Sequence, residues 1–183
     1  MHVSLDGFVA GPNGEMDWIL VDDKMFDYAT KRTKKAGTAL YGRITWEMMN
    51  AYWPTAAHQP NATKHDIEHS TWYNKVQKVV VSKTIKESNF PKTTIIGDNF
   101  LEEINLVRES KGKDIVMFGS PSVAHTLIRE NLIDDYWLFI NPVIIGQGIP
   151  LFKNVKNITR IKLKKSITFS PGVIGLHYQK VSR

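Results

Sequence analysis

The sequence contains no cysteine. Disulfide frameworks and thiolate metal sites are therefore excluded, and the composition fits a reducing compartment. Long apolar runs are missing as well. None approaches the ~20 residues that a membrane helix needs. The first residues, Met1-His-Val-Ser-Leu-Asp6, show no basic segment followed by an apolar one. No signal peptide is expected, and the expectation is a cytoplasmic protein with no membrane partner. There is no GxGxxG with an acidic residue about twenty positions on, so an ordinary Rossmann dinucleotide site is not supported. Neither a nucleophile elbow nor a Ser-His-Asp arrangement occurs. Among the histidines only His65 and His69 stand at i, i+4. A metal site there would need a third ligand, and no metal is expected.

What is present is an ordinary water-soluble composition. The chain has 183 residues, 42% apolar and 23% charged, enough for one domain over residues 1–183 with a sizeable core. The net charge of +6 admits nucleic acid, a small anionic ligand or plain solubility. Its densest clusters are Lys31-Arg32 with Lys34-Lys35, and Lys162 with Lys164-Lys165. The first falls in the last turn of a predicted helix, where cations favour the dipole. The second alternates with Ile161, Leu163 and Ile167, as on the wet face of a strand. Neither is interleaved with aromatics, so nucleic acid binding is not expected.

Strand and helix patterns alternate over most of the chain. His2 to Ala10 reads as a strand, and Gly11-Pro-Asn-Gly14 as a turn. A helix is expected over 22–36, a strand over 38–41, and a helix over 44–51. Residues 54–64 read as a loop, the longest structureless stretch. A short helix over 66–74 precedes strands over 78–82 and 93–96. Asn99 with Glu102 suggests a capping box, opening a helix that ends near Gly112. Asp135 to Ile145 reads as one long strand with Pro142 at a bulge or edge. Residues 161–169 and 173–179 read as a hairpin about Ser170-Pro-Gly172. Alternation implies an α/β fold with a mostly parallel sheet flanked by helices, and the closing hairpin adds an antiparallel edge.

The stretch from Ile115 to Ile128 organises the rest. Ile115 to Phe118 is a short buried strand, and Gly119 permits a sharp turn. Ser120 suits an N-cap, Pro121 suits N1, and Val123, Leu127 and Ile128 form an apolar stripe. A helix start of this kind favours phosphate, although most such connections bind nothing. A second glycine turn, Gly42-Arg43, also joins a strand to a helix. Two such starts side by side could hold a pyrophosphate, with Arg43 as a planar cationic fork. Ser82-Lys83 ends another strand and could take a further phosphate. The alternative for each is local: a helix-capping arginine and a solvated lysine.

These motifs resemble the dihydrofolate reductase fold, and more closely the reductase domain of the bifunctional riboflavin-biosynthesis enzyme and its stand-alone bacterial relatives. The resemblance runs over nearly the whole chain. It rests on Ser4 to Gly14 with Asp17-Trp18, on Tyr41 to Glu47, on Val79 to Lys83, on Met117 to Ser120, and on Pro142 to Phe152. It implies NADPH as cofactor and a pterin-like or ribosylaminopyrimidine-like small-molecule substrate. By position it gives Gly42, Arg43 and Thr45 to cofactor phosphates, Ser82 and Lys83 to the 2′-phosphate, and Gly119 and Ser120 to the pyrophosphate. Asp6 and Asp23 would lie near the substrate. Dihydrofolate reductases keep their acid in the helix after the tryptophan, and counting from Trp18 puts Asp23 there, with Asp6 in reserve. Asp23 also reads as a first-turn helix acid. Ser120 stands where many relatives have a second glycine, and the deaminase domain of the riboflavin enzyme has no counterpart. The expectation is an NADPH-dependent reductase; the alternative is a non-catalytic ligand-binding protein on the same fold. The apolar side chains of 135–145, and the pairing of riboflavin-type reductases through their sheets, predict a homodimer.

Overall fold

The computed structural model describes residues 1–110 and 112–181. In chain order the elements are β1 (His2–Ser4), β2 (Phe8–Ala10), α1 (Asp23–Thr33), β3 (Ala36–Gly42), α2 (Arg43–Ala56), α3 (Lys64–Lys75) and β4 (Gln77–Val81). Then come β5 (Thr93–Ile96), α4 (Phe100–Glu109), β6 (Asp114–Met117), α5 (Pro121–Arg129), β7 (Asp135–Asn141), β8 (Ile149–Pro150), β9 (Ile161–Thr168) and β10 (Ile174–Lys180). The predicted alternation holds as far as α5.

Local hydrogen bonds explain where the boundaries move. The first predicted strand is two, because Gly7 turns at φ +91°. Its N–H reaches the Ser4 carbonyl at 3.0 Å, and the Phe8 N–H reaches Ser4 Oγ at 2.9 Å. Asp22 lies outside α1 and caps it, accepting the Met25 N–H at 2.7 Å. Ala36 and Gly37 belong to β3, not to the end of α1. The expected loop over 54–64 shrinks to 57–63. Helix α2 runs through Pro54 to Ala56, because Trp53 and the fully buried Ala56 anchor its last turn. Thr63 and Asp66 make a reciprocal capping box. The box expected at Asn99 and Glu102 is not formed, since Asn99 makes no side-chain cap bond. The long strand ends at Asn141, where Pro142 has no N–H to continue the ladder.

Two compact units result. In the unit Phe26–Ser120, β3 and β4 are the inner strands of a wholly parallel sheet in the order β5-β4-β3-β6. Leu40 lies opposite Val79 on one side and Met117 on the other. Inner strands covered on both faces need continuous apolar runs. Accordingly Ala39, Tyr41 and Val80 are fully buried, packed with Trp46, Tyr73 and Val76. Each large side chain so buried contributes roughly 1.5–3 kcal/mol.

The unit Met1–Met25 with Pro121–Arg183 carries a mixed sheet in the order β1-β7-β10-β9, and a β2-β8 ribbon. The predicted hairpin is β9-β10, closed by the Gly172 N–H on the Phe169 carbonyl at 3.0 Å. The predicted stripe of α5 is buried at Val123, Ala124, Leu127 and Ile128. Asn141, fully buried, ties three segments together. Its Oδ1 accepts the Leu20 N–H at 2.9 Å, and its Nδ2 donates to the Phe139 carbonyl at 3.1 Å and lies 3.3 Å from His2 Nδ1.

One buried and one half-buried histidine set an acid limit on stability. His69 is 7% exposed, between Trp53 and Trp72 with ring centroids 4.2 and 5.2 Å away. Burial first, and then His65, pushes it down to about 4. Burial, followed by the N-terminal ammonium, pushes His2 down to about 4 as well. Both are neutral in the fold and protonate more readily in the unfolded chain. Stability from these groups is therefore complete above about pH 6.5 and is lost as pH falls from there toward about 4. Urea-unfolding midpoints should decline as pH falls from about 6.5 toward 4. A midpoint unchanged at pH 4 would contradict the enclosure of these two rings.

Candidate functional site

The order β5-β4-β3-β6 makes β3 a reversal point. After β3 the chain proceeds to β4 and β5 on one side, then returns to place β6 on the other. In open parallel sheets ligands bind at the carboxyl ends of strands where the order reverses. The end of β3 is Gly42, and β6 leads into Gly119-Ser120. These two turns meet. The Gly42 N–H donates to Ser120 Oγ at 2.5 Å. Gly119, at φ +72°, faces Thr45: a Cβ added to it would lie 3.6 Å from the threonine methyl. The structure thus brings Gly42, Thr45, Gly119 and Ser120 together.

Helix α2 starts at this point with Gly42 as N-cap, at φ −86° and ψ 161° and without a side-chain cap bond. Its first-turn N–H groups and the positive dipole end favour an anion. Arg43 opens the helix. Its Nη1 bonds both carboxylate oxygens of Glu47, at 2.9 and 3.0 Å. With its side chain 38% exposed, the far edge of the guanidinium stays available to a second anion. Ser82 and Lys83 follow β4 on the same sheet edge, since Gly42 lies opposite Val81. Ser82 is 5% exposed, and its Oγ accepts the N–H groups of Ile85 at 2.8 Å and Thr84 at 3.2 Å. It builds the turn that presents Lys83, which is exposed. Ser120 differs from the expected N-cap. It sits at φ +61° with its oxygen engaged by Gly42, while Pro121 opens α5 as predicted.

The expected acids belong to the other unit. Asp6 is exposed, and its oxygens accept the N–H groups of Gly146 at 2.8 Å and Ile145 at 3.3 Å. Hydrogen bonding from the Ser4 hydroxyl above all, with those two N–H groups, holds its carboxyl below the usual carboxylate range. A group so held keeps its charge and is a poor proton donor. In the structure Asp6 clasps the β1-β2 turn to the loop before β8. Asp23 is the first residue of α1 and is exposed. Among the described residues no cluster of three His, Cys, Asp or Glu could hold a metal. His65 and His69 instead pack in an aromatic cluster, with His65 stacked on Phe26 at 4.1 Å.

The sequence profile of the RibD C-terminal domain matches residues 1–175. The chain belongs to the RibD C-terminal domain family. It is similar to the uncharacterized protein YyaP of Bacillus subtilis (strain 168), with 36% identity over 180 residues that cover 97% of this chain and 91% of that protein. Two solved structures share the fold. A pyrimidine reductase-like protein of Corynebacterium diphtheriae gives a TM-score of 0.69 at 14% identity, over 100% of this chain and 90% of that one. A dihydrofolate reductase of Enterococcus faecalis, complexed with NADP(H), gives 0.64 at 14% identity, over 99% and 94%. The fold of this RibD-type domain is thus dihydrofolate reductase-like, and its reductase-type role follows from the family.

Three further residues take part in contacts that shape the two units. Glu47 was legible as the i, i+4 partner of Arg43. Asp22 reads from sequence as a first-turn residue of the helix over 22–36, and in the structure it caps α1 from outside. Its second oxygen also accepts the Ser170 N–H at 3.1 Å, a contact no local pattern announces. Asn141 had no sequence signal beyond preceding a proline.

Proposed function

We propose that the protein is an NADPH-dependent reductase of a pterin-like or ribosylaminopyrimidine-like substrate, similar to 5-amino-6-(5-phosphoribosylamino)uracil reductase. Residues 1–183 act as one reductase domain, and the setting is the cytoplasm. The observation that carries the reading is the junction of the two glycine turns where the parallel sheet reverses. The residues there fit a dinucleotide phosphate chain: an uncapped helix start, the hydroxyls of Thr45 and Ser120, and the guanidinium of Arg43. Lys83 is the cation for a 2′-phosphate. Bound NADPH would supply the hydride. The chain's own part is to hold the phosphates, orient the substrate and deliver a proton, a role assigned to Asp23.

The exposure of both Asp6 and Asp23 favours one other reading, a ligand-binding protein on this fold without turnover. Titration with NADPH and NADH, followed by a screen of pterins and ribosylated aminopyrimidines for NADPH oxidation, separates the two. Arg43→Ala should weaken NADPH binding by about 1–3 kcal/mol, the worth of a charge-assisted phosphate contact. Equal affinity of wild type and variant in a fluorescence titration would remove the phosphate role of Arg43.

A homodimer remains part of the proposal, on a different surface from the one expected. Strand β7 is paired on both edges, by β1 and β10, so it offers no edge to a second copy. Strand β9 ends the sheet on one side and is exposed along nearly its whole length. It carries Ile161 and Leu163, and the preceding loop carries Phe152, Val155 and Ile158, the last 90% exposed. An open edge beside apolar side chains invites pairing. Light scattering should give twice the chain mass at micromolar concentration, and Leu163→Lys should shift it toward the monomer. A monomer mass for the wild type rejects the dimer.

A further inference from the structure

We infer that the substrate carries no phosphate: it is a neutral or cationic heterocycle, selected by a substrate end that is apolar and holds negative charge only. This rests on the reductase reading above and narrows its substrate class. The place is the carboxyl ends of β1 and β7, which run parallel with Ser4 opposite Asn141. Hydrogen bonds gather several segments there. The Leu5 N–H reaches the Val143 carbonyl at 2.8 Å, and Asp6 accepts the N–H groups of Ile145 and Gly146. Asn141 holds the Leu20 N–H at 2.9 Å, and Val21 to Asp23 follow directly. Apolar side chains stay uncovered on these segments: Leu5 is 65% exposed, Ile144 71%, Leu20 42% and Val21 45%. One exposed apolar residue is ordinary; several on segments tied to one pair of strand ends form a surface that a ligand would cover.

Residues 1–23 and 138–152 supply this end, and they contain no lysine or arginine. They do contain Asp6, Glu15, Asp17, Asp22 and Asp23. The asymmetry is local, because the whole chain carries +6. His2 adds no positive charge near neutral pH, since burial first and the N-terminal ammonium next push it down to about 4. The Met1 amine lies at the other end of β1, on the Trp137 carbonyl at 2.7 Å. The nearest cations along the chain are Lys24, turned about 100° from Asp23 on the helix, and Lys153, beyond β8. A phosphate needs cations or unpaired N–H groups to offset its lost hydration. Here the N–H groups of Ile145 and Gly146 already serve Asp6, and those of Met25 and Ser170 serve Asp22. An anion would meet carboxylates, and like charge rejects it. A neutral or protonated ring would meet apolar side chains, with carboxylates to accept its N–H groups.

The test uses the full-length protein, wild type and Leu20→Lys, with two matched pairs of probes. One pair is 5-amino-6-(ribosylamino)uracil and its 5′-phosphate; the other is a hydroxymethyl pterin and its phosphate ester. Each is titrated by calorimetry with NADPH present and then assayed for NADPH oxidation. In at least one pair the unphosphorylated member should bind about 10-fold or more tightly than its phosphate. Added salt should narrow that gap, because screening weakens the repulsion. Leu20→Lys places a cation on a half-exposed side chain at this end. It should tighten binding of the phosphate by about threefold or more and leave its partner nearly unchanged. A phosphate bound as tightly as its partner in both pairs overturns the proposal, as does binding of no probe at all. Discrimination that Leu20→Lys leaves unchanged overturns it too. Wild type that discriminates in binding yet oxidises no NADPH keeps the substrate end and sinks the reductase reading. NADPH oxidation with equal kcat/KM for both members of each pair does the reverse.

Discussion

Gly148→Ala is expected to lower the melting temperature by roughly 6–12 °C, the equivalent of about 3 kcal/mol in a chain of this size. A Cβ at this position would lie 2.2 Å from the Ala10 carbonyl oxygen and 3.3 Å from Gly11 Cα. Both are backbone atoms, so no side chain can swing aside. The clash falls where β8 pairs with β2, at the Ala10–Ile149 register position. Relief would require the ribbon to separate, exposing Val9 and Leu151 from the small core they share with Val3. Two other glycines calibrate the effect. Gly146 has open space around a Cβ but sits at φ +76°. Gly146→Ala should therefore cost only the left-handed strain, about 1–2 kcal/mol. Gly112 has open space and no such φ, so Gly112→Ala should be nearly neutral. Calorimetry of the three variants is the check. A Gly148→Ala melting point within 2 °C of wild type would mean that the ribbon does not pack as described.

Sequence patterns reveal structure to the extent that short-range forces decide it. The strand Thr93–Ile96, the α5 stripe and the β9-β10 hairpin were readable because periodicity and turn chemistry are local. The meeting of Gly42 with Ser120 was partly readable, since both turns end strands of one parallel sheet and so fall on one edge. The hydrogen bond that joins them was not readable, because it spans 78 residues. Asp6 shows the same limit. As a local signal it is an acidic residue before a glycine, open to any role. Its bonds to Ile145 and Gly146 span 139 and 140 residues, and they give this candidate acid a clasping contact that no local signal announces. The predicted single strand over 135–145 failed for a different reason. Apolar content continues past Pro142, but the ladder needs donors that proline lacks, and Ile144 ends 71% exposed. Local pattern thus locates the two glycine turns; tertiary bonds decide which of their polar groups remain available.

Asp22 and Asp23 stand side by side, and their replacement should give opposite results. Asp22 has both carboxylate oxygens engaged, one capping α1 through the Met25 N–H and one holding the Ser170 N–H. Asp22→Ala should cost about 1–2 kcal/mol of stability through the lost cap, with turnover close to wild type. Asp23 is exposed in the first turn of α1. Reduction of a C=N bond leaves a nitrogen that needs a proton. An exposed carboxyl becomes a useful donor near neutral pH only when a bound substrate shields it from water. Asp23→Asn keeps the shape and removes the acid. It should leave NADPH affinity and melting temperature nearly unchanged and lower turnover by ~10²-fold or more. The measurement uses whichever substrate the screen identifies. If turnover by Asp23→Asn stays within about twofold of wild type from pH 5 to 9, far short of a general-acid effect, Asp23 is only a helix-start residue and the proton comes from another group.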